Sequence, residues 1–125
     1  MRTAQRPLDI LVADDDPLVA GYFCDLFTTM GHRPVRVGDG QAAVDRALGT
    51  RFDLLLMDVE MPRKDGVAAC LEILARQPRS VIIMITGSDR ALEHVLVAGA
   101  KAVLHKPVST RTLRETIALS LGSST

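Results

Sequence analysis

The sequence predicts an α/β fold in which a parallel sheet is covered by helices on both faces. Three observations lead there. Five short aliphatic runs recur along the 125 residues, at 8–13, 34–38, 52–57, 80–85 and 101–105. Between successive runs the apolar residues follow the 3.6-residue period of a helix rather than the two-residue period of a strand. Four of the five runs are almost continuously apolar, as strands covered on both faces must be. Strict alternation of this kind implies parallel strands joined by right-handed helical crossovers.

Each element can be justified in turn. The first strand is LDILVA, 8–13. Asp16 followed by Pro17 is a helix start, with Asp at the cap and Pro in the first turn. Val19, Phe23, Leu26, Phe27 and Met30 then share one helix face, and Gly31 supplies the stop. The second run, PVRVG at 34–38, is short, Pro-led and interrupted by a charge, which suits an edge strand. Ala43, Val44, Ala47 and Leu48, closed by Gly49, form the next helical stripe. FDLLLM at 52–57 is the third strand, and Val67, Cys70, Leu71 and Leu74 mark the third helix. SVIIMI at 80–85 is the fourth strand. Leu92, Val95 and Leu96, ending near Gly99, mark a fourth helix. KAVLH at 101–105 is the fifth strand, and Leu113, Ile117 and Leu121 mark the fifth helix. One domain is expected over 7–122, with 1–6 and 123–125 frayed.

Composition narrows the function. A hydrophobic fraction of 47% is enough for a core, and 3% aromatics means aliphatic side chains must fill it. Fifteen basic residues balance fifteen acidic ones, with no basic cluster, so neither nucleic acid nor an anionic membrane is the expected partner. MRTAQRP lacks the apolar stretch of a secretory signal, and no apolar run reaches the ~18 residues of a membrane span. Cys24 and Cys70 each lie in an apolar helical pattern and read as free thiols, which suits a reducing, cytoplasmic setting.

The chemistry lies just beyond the strands, where open α/β sheets bind ligands. Asp14, Asp15 and Asp16 follow the first strand, Asp39 and Gly40 the second, and Asp58 the third. Thr86, Gly87 and Ser88 follow the fourth, and Lys106 and Pro107 the fifth. Asp16 is accounted for as a helix cap. The remaining carboxylates would repel one another unless a hard divalent cation joined them, and Mg²⁺ is commonly held by one or two carboxylates with water. His32, His94 and His105 are scattered and make no zinc site.

Taken singly, these residues have plain explanations: a turn aspartate, a capping threonine, a surface lysine. Together, the pair Asp14-Asp15, Asp58 with MP three residues later and Gly66 beyond, Thr86-Gly87 and Lys106-Pro107 resemble the receiver domains of two-component response regulators over residues 8–121. The resemblance implies a flavodoxin-like, CheY-like doubly wound sheet of order 2-1-3-4-5 with five helices. It implies that Asp58 accepts a phosphoryl group from a histidine kinase or histidine phosphotransfer protein. Mg²⁺ would be held by Asp15, by Asp14 largely through water, by Asp58 and by the backbone carbonyl of Glu60. Lys106 and Thr86 would neutralise and bind phosphoryl oxygens, with Gly87 leaving room for the group. The output would be a conformational switch read by a protein target on the face of the fourth helix, fifth strand and fifth helix, without enzymatic turnover beyond self-phosphorylation and autodephosphorylation. The family often makes the peptide before Pro107 cis.

One position departs from the pattern. Receivers usually carry Tyr or Phe three residues before the lysine, where this chain has Val103. That leaves the aromatic switch in question and allows a receiver that has lost switching. His105 is assigned no role, and Arg63 and Lys64 read as a solvated loop. Two other classes fit less well. A Mg²⁺-dependent phosphohydrolase would want Asp, not Glu60, two residues after its nucleophile. A flavodoxin would want a hydroxyl- and glycine-rich loop where ADDDP stands. The sequence suits a single-domain regulator and a receiver cut from a longer or hybrid protein equally.

Overall fold

A computed structural model describes residues 6–88 and 98–122. Its elements run β1 (Asp9–Ala13), α1 (Pro17–Thr29), β2 (Arg33–Val37), α2 (Gly40–Gly49), β3 (Leu54–Asp58), α3 (Gly66–Arg76), β4 (Ile82–Thr86), β5 (Ala102–His105) and α4 (Thr110–Ser120). The five strands form one parallel sheet in the order β2-β1-β3-β4-β5. The expected topology is therefore present. Among the described residues there are four helices rather than five, because the stripe at Leu92, Val95 and Leu96 lies outside them, as do 1–5 and 123–125. Ala98 is helical and buried, and Gly99 follows at φ +97°, the left-handed conformation that ends helices.

The two-residue period of the strands sorts their side chains onto two faces. Leu11, Ala13, Leu55, Met57, Ile82 and Met84 pack under α2 and α3. Ile10, Val12, Leu54, Leu56, Ile83 and Ile85 pack under α1 and α4. Each fully buried Leu or Ile contributes about 1.5–3 kcal/mol of transfer free energy, so the three central strands carry most of the apolar stabilisation. The Pro-led β2 is an edge strand, as its composition suggests, and its Arg33 Nε pairs with Asp9 on β1 at 2.8 Å. β5 reads as apolar but is only half-buried, since it is the opposite edge.

The helix starts follow local chemistry. Asp16, Asp39, Asp65 and Ser109 cap α1, α2, α3 and α4, each accepting a backbone N–H from the first turn. Phe23 and Phe27 are the buried centre of the α1 stripe, and Leu113 and Ile117 that of α4. Of the stripe expected for α3, Cys70 is buried and Val67 and Leu74 pack against the core, but Leu71 does not. Leu71 is 51% exposed, whereas Gly66, Ala69, Cys70 and Ile73 are buried at i, i+3, i+4 and i+7. The phase is set by Gly66, because a Cβ there would collide with the Asp58 carbonyl and with Met84 Cε. Both cysteines are free, Cys70 buried and Cys24 half-buried. Burial pushes the Cys70 thiol up to about 11, so it behaves as a small core apolar group.

Candidate functional site

The register of the sheet assembles the rim. β1 and β3 pair with Ala13 opposite Met57, which brings the next residues, Asp14 and Asp58, level on neighbouring strands. Asp58 and Asp14 are only 5% and 3% exposed, and Asp15 beside them is exposed. One carboxylate oxygen from each of Asp14, Asp15 and Asp58 can be chosen so that all three lie within 4.8 Å of one another. Hard oxygen donors at that spacing, with no nitrogen or sulfur among them, fit Mg²⁺ rather than zinc.

Lys106 reaches over this cluster from the end of β5. Its Nζ lies 3.2 Å from Asp58 Oδ2 and 3.4 Å from Asp14 Oδ2. Burial works to lower the Lys106 pKa, but the carboxylates of Asp58 and Asp14 outweigh it and hold the ammonium above its ordinary value. Burial, and then the charge of Asp14, push the Asp58 carboxyl up to about 6, against the pull of Lys106 and of the Glu60 N–H 3.3 Å from Asp58 Oδ1. The site thus holds an anionic cluster that its single lysine only partly offsets. The Lys106–Pro107 peptide is cis.

Thr86 ends β4 fully buried. Its hydroxyl donates to the Ser88 carbonyl at 3.1 Å and accepts the Ser88 N–H at 2.9 Å. It points into its own turn rather than toward Lys106. Asp16 is the α1 cap, its carboxylate accepting the Leu18 N–H at 2.9 Å while its own N–H binds Asp14 Oδ1. Glu60 is exposed and lines a cleft of about 560 Å³ together with Asp15, Val59, Met61, Pro62 and Asp65. Val103 is half-buried, packed against the α2–α3 face of the core. His105 is exposed, with Nδ1 donating to the Lys106 carbonyl at 2.7 Å.

Two features were not legible in the sequence. Arg63 and Lys64 do not form a free solvated loop: Arg63 Nε binds Asp39 Oδ2 at 3.2 Å, and Lys64 binds Glu72. An apolar groove of about 530 Å³ lies beside Lys106, lined by Leu18, Val19, Tyr22, Phe23, Pro107 and Val108. Leu18 is 84% exposed there. Its sequence signal was faint, an apolar residue immediately ahead of the α1 stripe that begins at Val19.

A doubly wound sheet whose carboxyl edge sets acids against a lysine is the architecture of signalling receivers. The chain belongs to that family: residues 10–118 match the response regulator receiver domain, and it is a receiver domain of two-component signalling. It is 36% identical over 120 residues to the transcriptional regulatory protein PdtaR of Mycobacterium tuberculosis, covering 94% of this chain and 58% of that protein. The chain therefore spans little more than half of that relative. It is 31% identical to the chemotaxis protein CheY of Treponema pallidum, covering 90% of this chain and 81% of that one. Among solved structures it resembles the receiver domain of a sensor histidine kinase from Pseudomonas aeruginosa, with a TM-score of 0.87, 30% identity and coverage of 94% and 99%. That domain was crystallised with a magnesium ion coordinated in its active-site cleft. Among the described residues no helix is long and apolar enough to cross a membrane.

Proposed function

We propose that Asp58 is the phosphoacceptor of this receiver, that Asp14, Asp15, Asp58 and the Glu60 carbonyl hold Mg²⁺, and that Thr86 and Lys106 bind the phosphoryl group. The observation that carries this reading is the meeting of two buried carboxylates, one exposed carboxylate and a lysine within a single cluster at the end of the sheet. Bound Mg²⁺ supplies neutralisation of the carboxylates and of the phosphoryl oxygens.

The chain's own groups account for the rest. Asp58 ionises above a pKa of about 6, so near pH 7.5 it is an anion and a competent nucleophile. Its carboxylate oxygen attacks the phosphorus of a phosphohistidine. The new O–P bond forms as the P–N bond breaks, and the electron pair returns to the imidazole. Lys106 keeps its proton and moves its ammonium from the Asp58 carboxylate onto a phosphoryl oxygen. Thr86 exchanges its bond to the Ser88 carbonyl for one to another phosphoryl oxygen. That exchange draws the end of β4 toward the site, and β5 follows because the Lys106 N–H is bound to the Thr86 carbonyl at 2.9 Å. With valine at 103, the signal passes by main-chain displacement rather than by an aromatic swing. The switch biases two pre-existing states of the β5 and α4 face, where a protein target would read it. The stripe at Leu92, Val95 and Leu96, which belongs to the face expected from the sequence, lies outside the described residues.

The donor is a histidine kinase or histidine phosphotransfer protein, and the apolar groove beside Lys106 supports its seating next to the nucleophile. Enzymatic activity is confined to Mg²⁺-dependent self-phosphorylation and autodephosphorylation, in a cytoplasmic setting, within a domain spanning 7–122. Acetyl phosphate and MgCl₂ should add one phosphoryl mass to the intact protein. Asp58→Asn should abolish the adduct, and chelation by EDTA should prevent it. An adduct of equal yield in Asp58→Asn would place the acceptor elsewhere.

A further inference from the structure

The loop between β3 and α3 is held at both its base and its tip. At the base the Gly66 N–H binds the Val59 carbonyl at 2.7 Å, closing residues 59–66 directly behind Asp58. At the tip Arg63 adopts φ +66°, the one described non-glycine residue in the left-handed region, and its Nε meets Asp39 Oδ2 at 3.2 Å. Asp39 is also the cap of α2, its other oxygen accepting the Ala42 N–H at 2.8 Å. Beside this pair Gly40 lies so close to the Lys64 carbonyl that a Cβ would not fit. The loop tip is thus docked on the start of α2 by an ion pair and a backbone contact. A left-handed non-glycine residue persists only where its surroundings hold it.

We infer that Arg63 and Asp39 form a latch that positions the 59–65 loop for metal binding, so that the start of α2 sets the Mg²⁺ affinity of the site. This rests on the assignment of the Glu60 carbonyl as a metal ligand. Glu60 stands three residues before Arg63 and walls the same cleft as Asp15. Arg63 is a positioning residue and touches neither metal nor phosphoryl group. Asp39 is 17% exposed and Arg63 70% exposed at the side chain, so the pair is a partly screened one and its effect is modest.

Charge alone and positioning make opposite predictions for Arg63. If these residues acted only through the field at the metal, losing the Arg63 cation would tighten Mg²⁺ binding and losing the Asp39 anion would weaken it. A latch is broken equally from either side, and both losses weaken it. The test titrates MgCl₂ into wild type, Arg63→Asn, Asp39→Asn and the double variant, following amide resonances. Asn at 63 tolerates left-handed backbone but cannot reach Asp39, and Asn at 39 keeps the helix cap. Both single variants should weaken Mg²⁺ binding by about two- to fivefold. The double variant should be no worse than either, and Arg63→Lys should retain most of the affinity. Phosphorylation at saturating Mg²⁺ should match wild type. Unchanged affinity in the single variants, opposite signs, or additive losses would overturn the latch. Failure of wild type to bind Mg²⁺, or wild-type affinity in Asp15→Asn, would instead overturn the metal-site reading beneath it.

Discussion

At the scale of the residue, Asp58 is held in a place that costs the fold stability. Its pKa of about 6 stands above the 3.8 of an unfolded carboxyl. The folded state therefore binds this proton more tightly than the unfolded state. That contribution is fully present below pH 3.8 and is lost as pH rises through 6. At pH 7.5 the carboxylate is a liability that Lys106 only partly relieves, because Lys106 also serves Asp14. In Mg²⁺-free buffer Asp58→Asn should stabilise the protein at pH 7.5 by about 1–2 kcal/mol, allowing for solvent screening at the rim. Urea melts of the two proteins should converge by pH 4. Added Mg²⁺ should raise the stability of wild type more than that of the variant. A pH-independent difference would mean that the burial of this charge is not what destabilises it.

At the scale of the element, α3 is tied to the site by a glycine. Gly66 is the first residue of the helix, and a Cβ there would fall within 3 Å of the Asp58 carbonyl, the Val59 backbone and Met84 Cε. Two of these three neighbours are backbone and cannot rotate away. Gly66→Ala should therefore cost about 2–3 kcal/mol as overpacking, measured by urea denaturation, and should also displace Asp58. By contrast Gly87 has no atom within 4 Å of an added Cβ. Gly87→Ala should leave stability within about 0.5 kcal/mol of wild type in the same melts, so any defect in phosphorylation would come from crowding of the phosphoryl group itself.

At the scale of the whole molecule, the two ends of the sheet divide the work. The carboxyl end gathers the cluster of carboxylates and lysine, while the opposite end closes the fold with polar contacts. There the Leu8 N–H donates to Nδ1 of the buried His32 at 3.0 Å, joining the α1–β2 connection to the start of β1. That bond requires a neutral ring. Burial, followed by the positive charge of Arg114, lowers the His32 pKa below its ordinary 6.5. The unfolded state then takes up the proton first, so this stabilisation is present above pH 6.5 and is lost as pH falls through the depressed folded value. The sign is opposite to that of Asp58. Wild type should lose stability relative to His32→Gln as pH falls from 7.5 toward 5 in urea melts, and a wild-type advantage that stayed constant or grew as pH fell would contradict it.

How much of this was legible depended on range. Strand runs, the cap of α1 and the sheet class depend on neighbours within a few residues, so LDILVA, Asp16-Pro17 and Asp58 after LLLM could be read directly, whereas the caps at Asp39, Asp65 and Ser109 were seen only in the structure. The exact centre of the α3 stripe could not be read: Val67, Cys70 and Leu74 face the core, but the close approach of Gly66 to Asp58 and Met84 leaves Leu71 exposed. The sequence alone determined which residues reach the carboxyl end of the sheet, since each strand ends where its apolar run ends. Only the tertiary structure decided what those residues meet: that Lys106 bridges Asp14 and Asp58, that the Thr86 hydroxyl bonds within its own turn, and that Arg63 reaches Asp39. The physical reason is that a parallel sheet brings together residues dozens of positions apart. The distance between two charges, which sets their interaction, exists only once the register is formed.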